Sequence, residues 1–313
     1  MDFLITSEDA GIDIRRFISS HVHLSSKMLK ALKYAEDGIL VNGERRTVRY
    51  LLKEGDLLSL AIDDRESAEH LEAVELPLAI LYEDADLVVP SKPSNMPTHP
   101  SHNHHRDTVA NALAFRYAQM GQPFVFRPIN RLDRNTSGLL LVARNRLCAG
   151  RLSRAMQEGK IQKSYLAILV GEMPLGKGKI TEALCRTEES IILRRVCPPD
   201  TPGADHAVTE YEVLASQNGH TLVRAHPITG RTHQLRVHFA HLGHPILGDD
   251  LYGSPSPIIP RHALHALTLS FVHPSTKTPM TLSAPPPEDF AIALKRFFSE
   301  ELLLELVGKD HSL

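Results

Sequence analysis

The stretch INRLDRNTSGLLLVARN, residues 129–145, joins a charged segment to an apolar one. Its second half contains the unbroken apolar run Leu139–Ala143, and such a run predicts a short strand buried on both faces. Its first half places Asp133 between Arg131 and Arg134, a few residues before that run. A carboxylate next to a core is costly unless other groups position and pair it. The stretch therefore raises the question of what requires an aspartate there.

The charged segment itself suggests how Asp133 is presented. If it is extended, Arg131 and Asp133 share one face and Leu132 takes the opposite, inward face. The carboxylate would then stand beside a guanidinium at the end of a rigid strand. Neighbouring arginines favour an ionised carboxylate, which suits a nucleophile or a base better than an acid. From these residues alone, an exposed ion-pair cluster is the commoner arrangement, and it stays open.

Size and composition bound the class of protein. The chain has 313 residues, enough for a sizeable core and a small second domain, with 23% charged and 42% hydrophobic residues. Its start lacks the layout of a secretory signal, and no apolar stretch approaches the roughly 20 residues of a membrane helix. The three widely separated cysteines favour a reducing compartment. We therefore expect a cytoplasmic enzyme or binding protein with no membrane partner.

The net charge of −2 hides a block pattern along the first part of the chain. Residues 15–53 are mostly basic, whereas residues 54–86 are mostly acidic. Such asymmetry is a hint of a module that faces nucleic acid, although on charge alone a solvated helix face is slightly favoured. We expect a small domain at residues 1–65, an acidic linker at 66–76 and a larger domain at 77–313.

The basic segment predicts two short helices, a hairpin turn at Asn42-Gly43 and a closing strand. Ser25 or Ser26 is the expected N-cap of the second helix, and Gly38 is its expected C-terminal glycine.

This unit resembles an S4 RNA-binding domain. The residues that carry the resemblance are Arg15, Arg16, Phe17, and residues 25–27, 41–43 and 55–56. The resemblance implies that the helix bearing Lys27, Lys30 and Lys33 lies on RNA phosphates, and it makes Arg45 a further RNA contact. Phosphate contacts of this kind position a protein without reading sequence.

Beyond the linker, strands outnumber helices and short turns join most of them. Strands are predicted within residues 78–94, 139–143, 163–171, 207–216, 220–227, 264–274 and 279–285, and helices within 106–120, 150–159 and 229–245 and at the C-terminal end. This pattern predicts an α+β fold with a mixed, mainly antiparallel sheet.

The predicted helix at 229–245, of about three turns, carries a second candidate for chemistry. Leu235, Phe239 and Leu242 fall at helical spacing and form its expected core face, with Arg236 beside that face. A buried arginine needs an anion, and Asp133 is the obvious candidate. Asp249 and Asp250 are expected to tether the loop that follows.

A third candidate is the tyrosine in KSYLAILVG, residues 163–171. Lys163, Tyr165 and Ala167 lie on one face of the predicted strand. The ring is either ordinary core or a platform for an extruded base, because stacking of a base on an aromatic ring contributes roughly 1–3 kcal/mol.

Three motifs make the chain resemble the RluA-type pseudouridine synthase family: RPINRLDRNTSGLLLVARN, KSYLAILVG and TGRTHQLRVHFAHLGHPILGDDLYG. YEDADLVVPSKPSNMPTHPS, AVTEYEVL and LHALTLSFVHP support the resemblance, which runs from about residue 78 to 290 in the family's order. It implies flanking helices, an active-site cleft and an enzyme that isomerises uridine in RNA to pseudouridine. With the S4-like unit, it favours large-subunit ribosomal RNA over transfer RNA as substrate, and a monomer.

The resemblance also implies roles for individual residues. Asp133 would be the catalytic aspartate and Arg236 its buried partner. Tyr165 would stack on the target uracil and help to remove the C5 proton. Arg131 would enter the gap left by the extruded nucleotide, and Leu235 would pack against the bound base.

Further substrate contacts are implied for other residues of the same motifs: Asn130, Thr136, Gly230, Arg231 and His233. The chain departs from the family's pattern at three places. Asn130 stands where the family often has histidine, and Pro90 and Asn95 replace residues expected to be polar and glycine. Asparagine tolerates the left-handed backbone better than most residues, so Asn95 need not change its turn.

The implied reaction answers the opening question. It breaks the N1–C1′ bond, turns the bound uracil and joins C5 to C1′, with no redox change and no atom gained. We therefore expect no metal and no organic cofactor, but one ionised carboxylate in a pocket that retains the detached base. The base must first leave its stack, which costs a few kcal/mol.

Two other classes of function remain open. A metal-dependent hydrolase would use the histidine clusters, which are His102, His104 and His105, and His238, His241 and His244. The spacing of the second cluster instead favours structural hydrogen-bonding histidines. A non-catalytic RNA-binding protein is the other alternative, but it would not need Asp133, Tyr165 and Arg236 together.

Overall fold

The computed structural model describes residues 1–22, 24, 26–61, 71–101, 103–188, 190 and 192–299. Within these ranges the chain builds four hydrophobic clusters: one from the N-terminal residues, two against the extended sheet and a small one around Leu184, Ala207 and Val237. The acidic linker expected at residues 66–76 falls partly outside the described residues, so the proposed domain boundaries stay predictions. No helix in the described ranges has the length and apolarity needed to cross a bilayer.

The N-terminal core lies under a four-stranded sheet in the order β1-β4-β2-β3. Its elements are β1 (Asp2–Leu4), α1 (Ile14–Phe17), a π-helical turn (Ile18–Val22), α2 (Ser26–Tyr34), β2 (Ile39–Val41), β3 (Glu44–Arg45) and β4 (Leu57–Leu60). Both expected helices are present. The Asp13 side chain caps α1 by accepting from the backbone N–H of Arg16.

The predicted hairpin turn is confirmed, because Asn42 and Gly43 have φ values of 53° and 80° and join β2 to β3. The role given to Gly38 is wrong. The helix ends at Tyr34, and Gly38 is needed instead because a Cβ there would lie 1.9 Å from the Leu32 carbonyl oxygen. Ser25 lies outside the described residues.

The larger part of the chain forms an 11-stranded sheet in the order β11-β14-β15-β10-β16-β8-β6-β9-β7, with β17 beside β16 and β5 beside β6. The elements are β5 (Ala79–Glu83), β6 (Leu87–Lys92), α3 (Val109–Gln119), β7 (Arg127–Pro128), β8 (Ser137–Leu139), β9 (Val142–Ala143), α4 (Arg146–Gln157), β10 (Gln162–Val170), β11 (Gly176–Ile180), β12 (Ala183–Arg186), β13 (Arg194–Cys197), β14 (Thr209–Gln217), β15 (His220–Pro227), α5 (Gln234–His241), β16 (Leu264–Val272), β17 (Pro279–Ser283) and α6 (Glu288–Phe297). Strands β12 and β13 pair with each other as a separate ribbon.

The expected α+β class with a mainly antiparallel sheet is confirmed. The strand pairs among the described residues are antiparallel except β16 with β8, which run parallel. Strands β1, β7, β11, β12 and β13 were not expected from the sequence. All five are short, and β11 carries glycine and lysine at alternate positions rather than apolar residues.

The apolar run 139–143 is buried as expected, but it is not one strand. It is split between β8 and β9, which pair with different parts of β6. Opposite the break stands Pro90, whose carbonyl accepts from the backbone N–H of Leu140 at 3.1 Å. Because proline has no N–H to return, the ladder is interrupted there.

The two parts of the chain meet at α4. Leu147 is buried within the N-terminal core. One turn further along the helix, Arg151 donates to the carbonyl oxygen of His21 at 3.2 Å and to that of Pro274 at 3.1 Å. The first of these contacts places a cation at the end of the helical segment 14–22, where the helix dipole favours positive charge.

Candidate active site

The turn that carries Asp133 lies between β7 and β8. The backbone N–H of Thr136 donates to the Asp133 carbonyl at 3.1 Å, so Asp133 begins a turn and does not end a strand as expected. The expected alternation is confirmed, because Leu132 is buried and Arg131 is exposed. The Asp133 side chain retains 28% of its exposure, which leaves the carboxylate accessible.

A buried lysine holds this turn from one side. Lys92, at the end of β6, is 1% exposed. Its ammonium donates to the carbonyl oxygens of Pro93, Met96 and Arg134 at 2.9, 2.8 and 2.9 Å, which uses all three of its N–H donors. Burial lowers the pKa of Lys92 to about 7, and the negative charge of Asp133 opposes that shift. Sequence reasoning missed Lys92, although a lysine closing an apolar strand was a signal.

Two neighbouring residues hold the same turn from another side. Arg261 donates through Nη1 to the carbonyl oxygen of Asn135 at 3.1 Å, and His262 Nε2 lies 2.8 Å from the Thr136 hydroxyl. Arg261 is fixed by two hydrogen bonds to the Asp289 carboxylate, at 2.7 and 2.9 Å. Burial lowers the pKa of His262 well below its usual value, so its ring is neutral. Residues 134, 135 and 136 are therefore each anchored by a buried side chain.

Arg236 carries the buried positive charge of the site. Its tightest partner is Asp249, which is 0% exposed and accepts from Nε and Nη2 at 2.7 Å each. The remaining nitrogen, Nη1, lies 3.6 Å from Asp133 Oδ2. Burial alone would raise the pKa of Asp249, but the hydrogen bonds and charge of Arg236 outweigh it and hold that pKa below its usual value.

The contact between Arg236 and Asp133 is thus present, but the expectation that Asp133 is the main anion of Arg236 is corrected. Asp249 has that role, where only a tethering role was expected. Asp133 lies at the outer end of the same guanidinium, so the carboxylate faces a positive charge without being enclosed.

Helix α5 is shorter than the expected three turns. It begins at Gln234 because His233 before it is left-handed, with φ of 57°. The Gln234 side chain accepts from the Thr229 hydroxyl at 2.7 Å and from the Arg231 backbone N–H at 3.0 Å, which folds residues 229–233 into a turn. Leu242, expected in the core, follows the end of the helix and is 38% exposed.

Tyr165 lies on β10, between β15 and β16, and is 8% exposed. It belongs to the same hydrophobic core as Leu132 and Leu235, so the three motifs of the sequence meet there. Burial raises the pKa of the Tyr165 phenol, and the charge of Asp133 raises it further, so the hydroxyl keeps its proton at neutral pH. The ring therefore lies within the field of the Asp133 carboxylate.

Tyr252 connects His233, Arg194 and Arg236 on the side of the site formed by residues 194 and 233–252. Sequence reasoning missed it. Its hydroxyl lies 2.7 Å from His233 Nδ1 and accepts from the backbone N–H of Arg194 at 3.0 Å. The Arg236 guanidinium carbon lies 5.1 Å from the centre of the Tyr252 ring. Burial lowers the pKa of His233, and the charge of Asp133 opposes that shift.

Other residues proposed as substrate contacts are engaged within the protein. Asn130 accepts from the backbone N–H of Leu141 at 2.8 Å, next to the break between β8 and β9. Arg231 pairs with Asp205 at 3.2 Å and donates to the His206 carbonyl at 3.1 Å. Their roles toward substrate stay predictions.

The candidate RNA contacts of the N-terminal part lie on the surface of that part, away from the site around Asp133. Lys30 is exposed on α2, and Arg45, exposed on β3, donates to the Lys33 carbonyl at 3.2 Å. The side chain of Lys27 lies outside the described residues.

The histidine clusters show no arrangement for a metal. Within the described part of the chain, no group of three or more His, Cys, Asp or Glu side chains is placed to hold an ion, and His102 lies outside it. The expected structural role is confirmed for His238, which is buried between the Thr209 hydroxyl at 2.9 Å and the Glu182 carbonyl at 3.0 Å.

Comparison with known proteins identifies this arrangement. The family model described as RNA pseudouridylate synthase matches residues 86–241, which include Asp133, Tyr165 and Arg236. An uncharacterized RNA pseudouridine synthase of Bacillus subtilis (strain 168) is 38% identical over 272 residues, covering 87% of this chain and 95% of the relative. The chain belongs to the RNA pseudouridine synthase family.

Two more relatives support the assignment. A protein of Vibrio cholerae named ribosomal large subunit pseudouridine synthase D is 36% identical over 269 residues, with 81% of each chain covered. The structure of human RNA pseudouridylate synthase domain containing 4 superposes with a TM-score of 0.58 at 27% identity, covering 70% of this chain and 92% of the human one.

The expected resemblance to the RluA-type synthases and the expected fold are therefore confirmed. The protein is an isomerase that converts uridine in RNA to pseudouridine, and the membership supports this over a non-catalytic RNA-binding protein.

Proposed function

We propose that this pseudouridine synthase modifies large-subunit ribosomal RNA and that Asp133 is its catalytic carboxylate. The catalytic role of Asp133 is supported by the position of Arg236, which contacts both Asp249 and Asp133. The guanidinium is bound at one edge by the buried Asp249 and reaches the partly exposed Asp133 with its remaining nitrogen at 3.6 Å. Asp250 also lies near this guanidinium, at 3.8 Å, but Asp133 is the carboxylate that stands on the turn anchored at residues 134–136.

In the proposed reaction Asp133 acts at the sugar, either by attacking C1′ or by removing a sugar proton. The N1–C1′ bond breaks, the uracil turns while it stays bound, and C5 joins C1′. A proton leaves C5 and a proton is gained at N1, so atoms and electrons balance without an oxidant or a cofactor. Anchoring of residues 134–136 keeps the carboxylate in one position through both bond changes.

Tyr165 is proposed to carry the uracil. A ring that is 8% exposed and lies in the same core as Leu132 and Leu235 offers a rigid apolar surface for a base. Because burial and the charge of Asp133 raise the pKa of Tyr165, its hydroxyl is neutral when the base arrives. Its proposed part in removing the C5 proton is therefore a relay, in which the oxygen accepts the C5 proton as its own proton leaves through solvent to N1, the atom that gains a proton in the reaction.

The choice of ribosomal RNA rests on the Vibrio cholerae relative, whose name assigns it to the large ribosomal subunit, and on the basic N-terminal part of this chain. Transfer RNA is the alternative. We further propose that the enzyme acts as a monomer in the cytoplasm, where its three free cysteines would stay reduced.

Residues 1–65 are proposed to form an S4-like RNA-binding domain, joined by the acidic linker 66–76 to the catalytic domain 77–313. The confirmed Asn42-Gly43 turn and the exposed Lys30 and Arg45 support it. Contacts of Leu147 and Arg151 with this part of the chain favour a docked domain over a freely tethered one.

The test is Asp133→Asn, which keeps the shape of the side chain and removes its charge. We expect loss of pseudouridine, measured by carbodiimide-induced reverse-transcription stops, with RNA affinity within a few-fold of wild type. Asp200→Asn, an exposed change in the turn after β13, is the matched control. Substantial turnover by Asp133→Asn would refute the assignment.

The same measurement on cellular RNA tests the substrate. Stops that disappear from large-subunit ribosomal RNA when the gene is deleted support the proposal, whereas stops that disappear only from transfer RNA establish the alternative.

A further inference from the structure

Lys163 is a partly buried lysine without a partner. It lies near the start of β10, where its backbone carbonyl accepts a hydrogen bond from the His226 side chain, but its ammonium makes no hydrogen bond or ion pair within the described ranges. Burial lowers its pKa, and no neighbouring carboxylate opposes that shift. The side chain is only half-buried and its Nζ still reaches solvent, so the ammonium is a charged donor open to a ligand at the surface of the site.

The contrast with Lys92 shows that the fold is able to satisfy a buried lysine. Lys92 is more deeply buried, yet three carbonyl oxygens within 2.9 Å take its three N–H donors. Among the described residues no carbonyl oxygen or carboxylate is recorded in a comparable place around the Lys163 ammonium. A half-buried cation without a protein anion is a reason to look for an anion that is not part of the protein.

The position of the ammonium connects it to the active site. Lys163 and Tyr165 are alternate residues of β10, with their Cα atoms about 6.6 Å apart, and the pairing with β16 has an irregularity between Ser164 and Tyr165. The Lys163 Nζ lies against Gly230, in the turn 229–233 that leads to His233 and Arg236. The ammonium therefore stands at the edge of the site, beside the proposed uracil platform.

Gly230 leaves the space around this ammonium open. A Cβ added to Gly230 would meet the Lys163 Nζ at 3.7 Å and no other described atom within 4 Å. The backbone of Gly230 is not left-handed, so the glycine is not required by its conformation. Its use at this position is consistent with a ligand passing close to the turn.

We propose that Lys163 binds a backbone phosphate of the RNA next to the target uridine, over the opening left by Gly230. The distance of about two residues along β10 suits a nucleotide whose base lies on Tyr165 while a phosphate of the same or the adjacent nucleotide reaches the ammonium. This inference rests on the proposed stacking of the uracil on Tyr165. In this role Lys163 binds substrate and helps to fix which nucleotide of the RNA strand enters the site.

The experiment compares the full-length variants Lys163→Met and Lys163→Arg with wild type on transcripts of large-subunit ribosomal RNA and of transfer RNA. Lys163→Met is expected to weaken binding about tenfold and to reduce the slope of log Kd against log salt by about 0.7–0.9, the contribution of one phosphate. Lys163→Arg is expected to restore most of both. Lys295→Met, which removes an exposed lysine of α6, is the matched control.

Thermal unfolding of the free proteins separates binding from structure. Lys163→Met is expected to be about as stable as wild type, because the ammonium that it removes makes no recorded contact within the described residues. Gly230→Ala leaves every charge in place and is expected to weaken binding a few-fold, because its methyl group occupies the opening.

An unchanged salt slope in Lys163→Met overturns the proposal, as does a loss of stability that accounts for weaker binding. These readouts do not depend on turnover. If wild type forms no pseudouridine in either transcript, the proposed substrate fails, while the salt slopes still decide whether Lys163 contacts phosphate.

Discussion

Two buried arginine–aspartate pairs flank Asp133, and they engage it differently. Arg236 with Asp249 and Arg261 with Asp289 are both bidentate, with N–O distances between 2.7 and 2.9 Å. They differ in the partner of the guanidinium nitrogen that does not bind the paired aspartate. Nη1 of Arg236 faces the Asp133 carboxylate at 3.6 Å, whereas Nη1 of Arg261 donates to the Asn135 carbonyl at 3.1 Å.

The difference separates two tasks that a catalytic carboxylate requires. The Arg236 pair acts on the surroundings of the Asp133 carboxylate, because it places a positive charge 3.6 Å from the Oδ2 atom. The Arg261 pair acts on its position, because it holds the backbone of the turn and does not reach the carboxylate oxygens. The pairs also differ in burial: Asp249 is 0% exposed, whereas the Asp289 side chain is 27% exposed.

The largest expected effect comes from breaking the pair that sets the charge. Arg236→Met leaves Asp249 buried and unpaired, which should cost about 3–5 kcal/mol of unfolding free energy, and it should abolish pseudouridine formation. Urea unfolding and reverse-transcription stops measure the two effects.

The double variant Arg236→Met/Asp249→Leu is the control that isolates charge from stability. It should recover most of the unfolding free energy, since replacing a whole buried ion pair by apolar residues is often neutral. Activity should stay absent. Activity that returns together with stability would show that Arg236 is only structural.

A smaller effect is expected from the pair that sets position. Arg261→Met should cost about 1–3 kcal/mol, because Asp289 is partly exposed and recovers water. It should lower kcat up to about a hundredfold through displacement of the turn, and leave the pH profile of kcat unchanged. A shifted pH profile would contradict the division of tasks between the two pairs.

The smallest effect concerns Lys92 and the pH dependence of stability. Its pKa is about 7 in the folded protein and higher in the unfolded chain, so above pH 7 the unfolded chain binds more protons. Stability therefore rises with pH through this window. Relative to Lys92→Met, wild type should gain about 1 kcal/mol of unfolding free energy between pH 6 and pH 8.

Lys177→Met, an exposed change on β11, should show no such pH-dependent difference from wild type. A wild type that loses stability relative to Lys92→Met as pH rises would mean that folding raises the pKa of Lys92.

Features of the fold were predictable from the sequence where residues close in sequence determine them, and were not where residues distant in sequence determine them. The Asn42-Gly43 turn, β10 and the burial of residues 139–143 follow from local backbone preference and hydrophobic pattern. The break opposite Pro90 does not, because the missing N–H matters only once β6 is known to be the partner strand. Leu242 was misplaced for a related reason: spacing placed it in the core, but the helix ends before it.

The residues of the site were predictable to different degrees for the same reason. Asp133, Tyr165 and Arg236 stand out in the sequence because each lies in a long motif. Lys92, Tyr252 and Arg261 do not, because their roles come from backbone carbonyls and side chains distant in sequence. Asp249 was considered only as a tether, since nothing local indicates that it would be more buried than Asp133.

The sequence by itself determined the family, the order of the longer strands along the chain and the residues suited to the chemistry. Only the tertiary structure decided which carboxylate lies deep against Arg236 and which stays open, and which lysine is satisfied and which is left without a partner. The physical reason is that burial and hydrogen-bond partners come from segments distant in sequence, and these set the free energy of a charge more than its neighbours along the chain do.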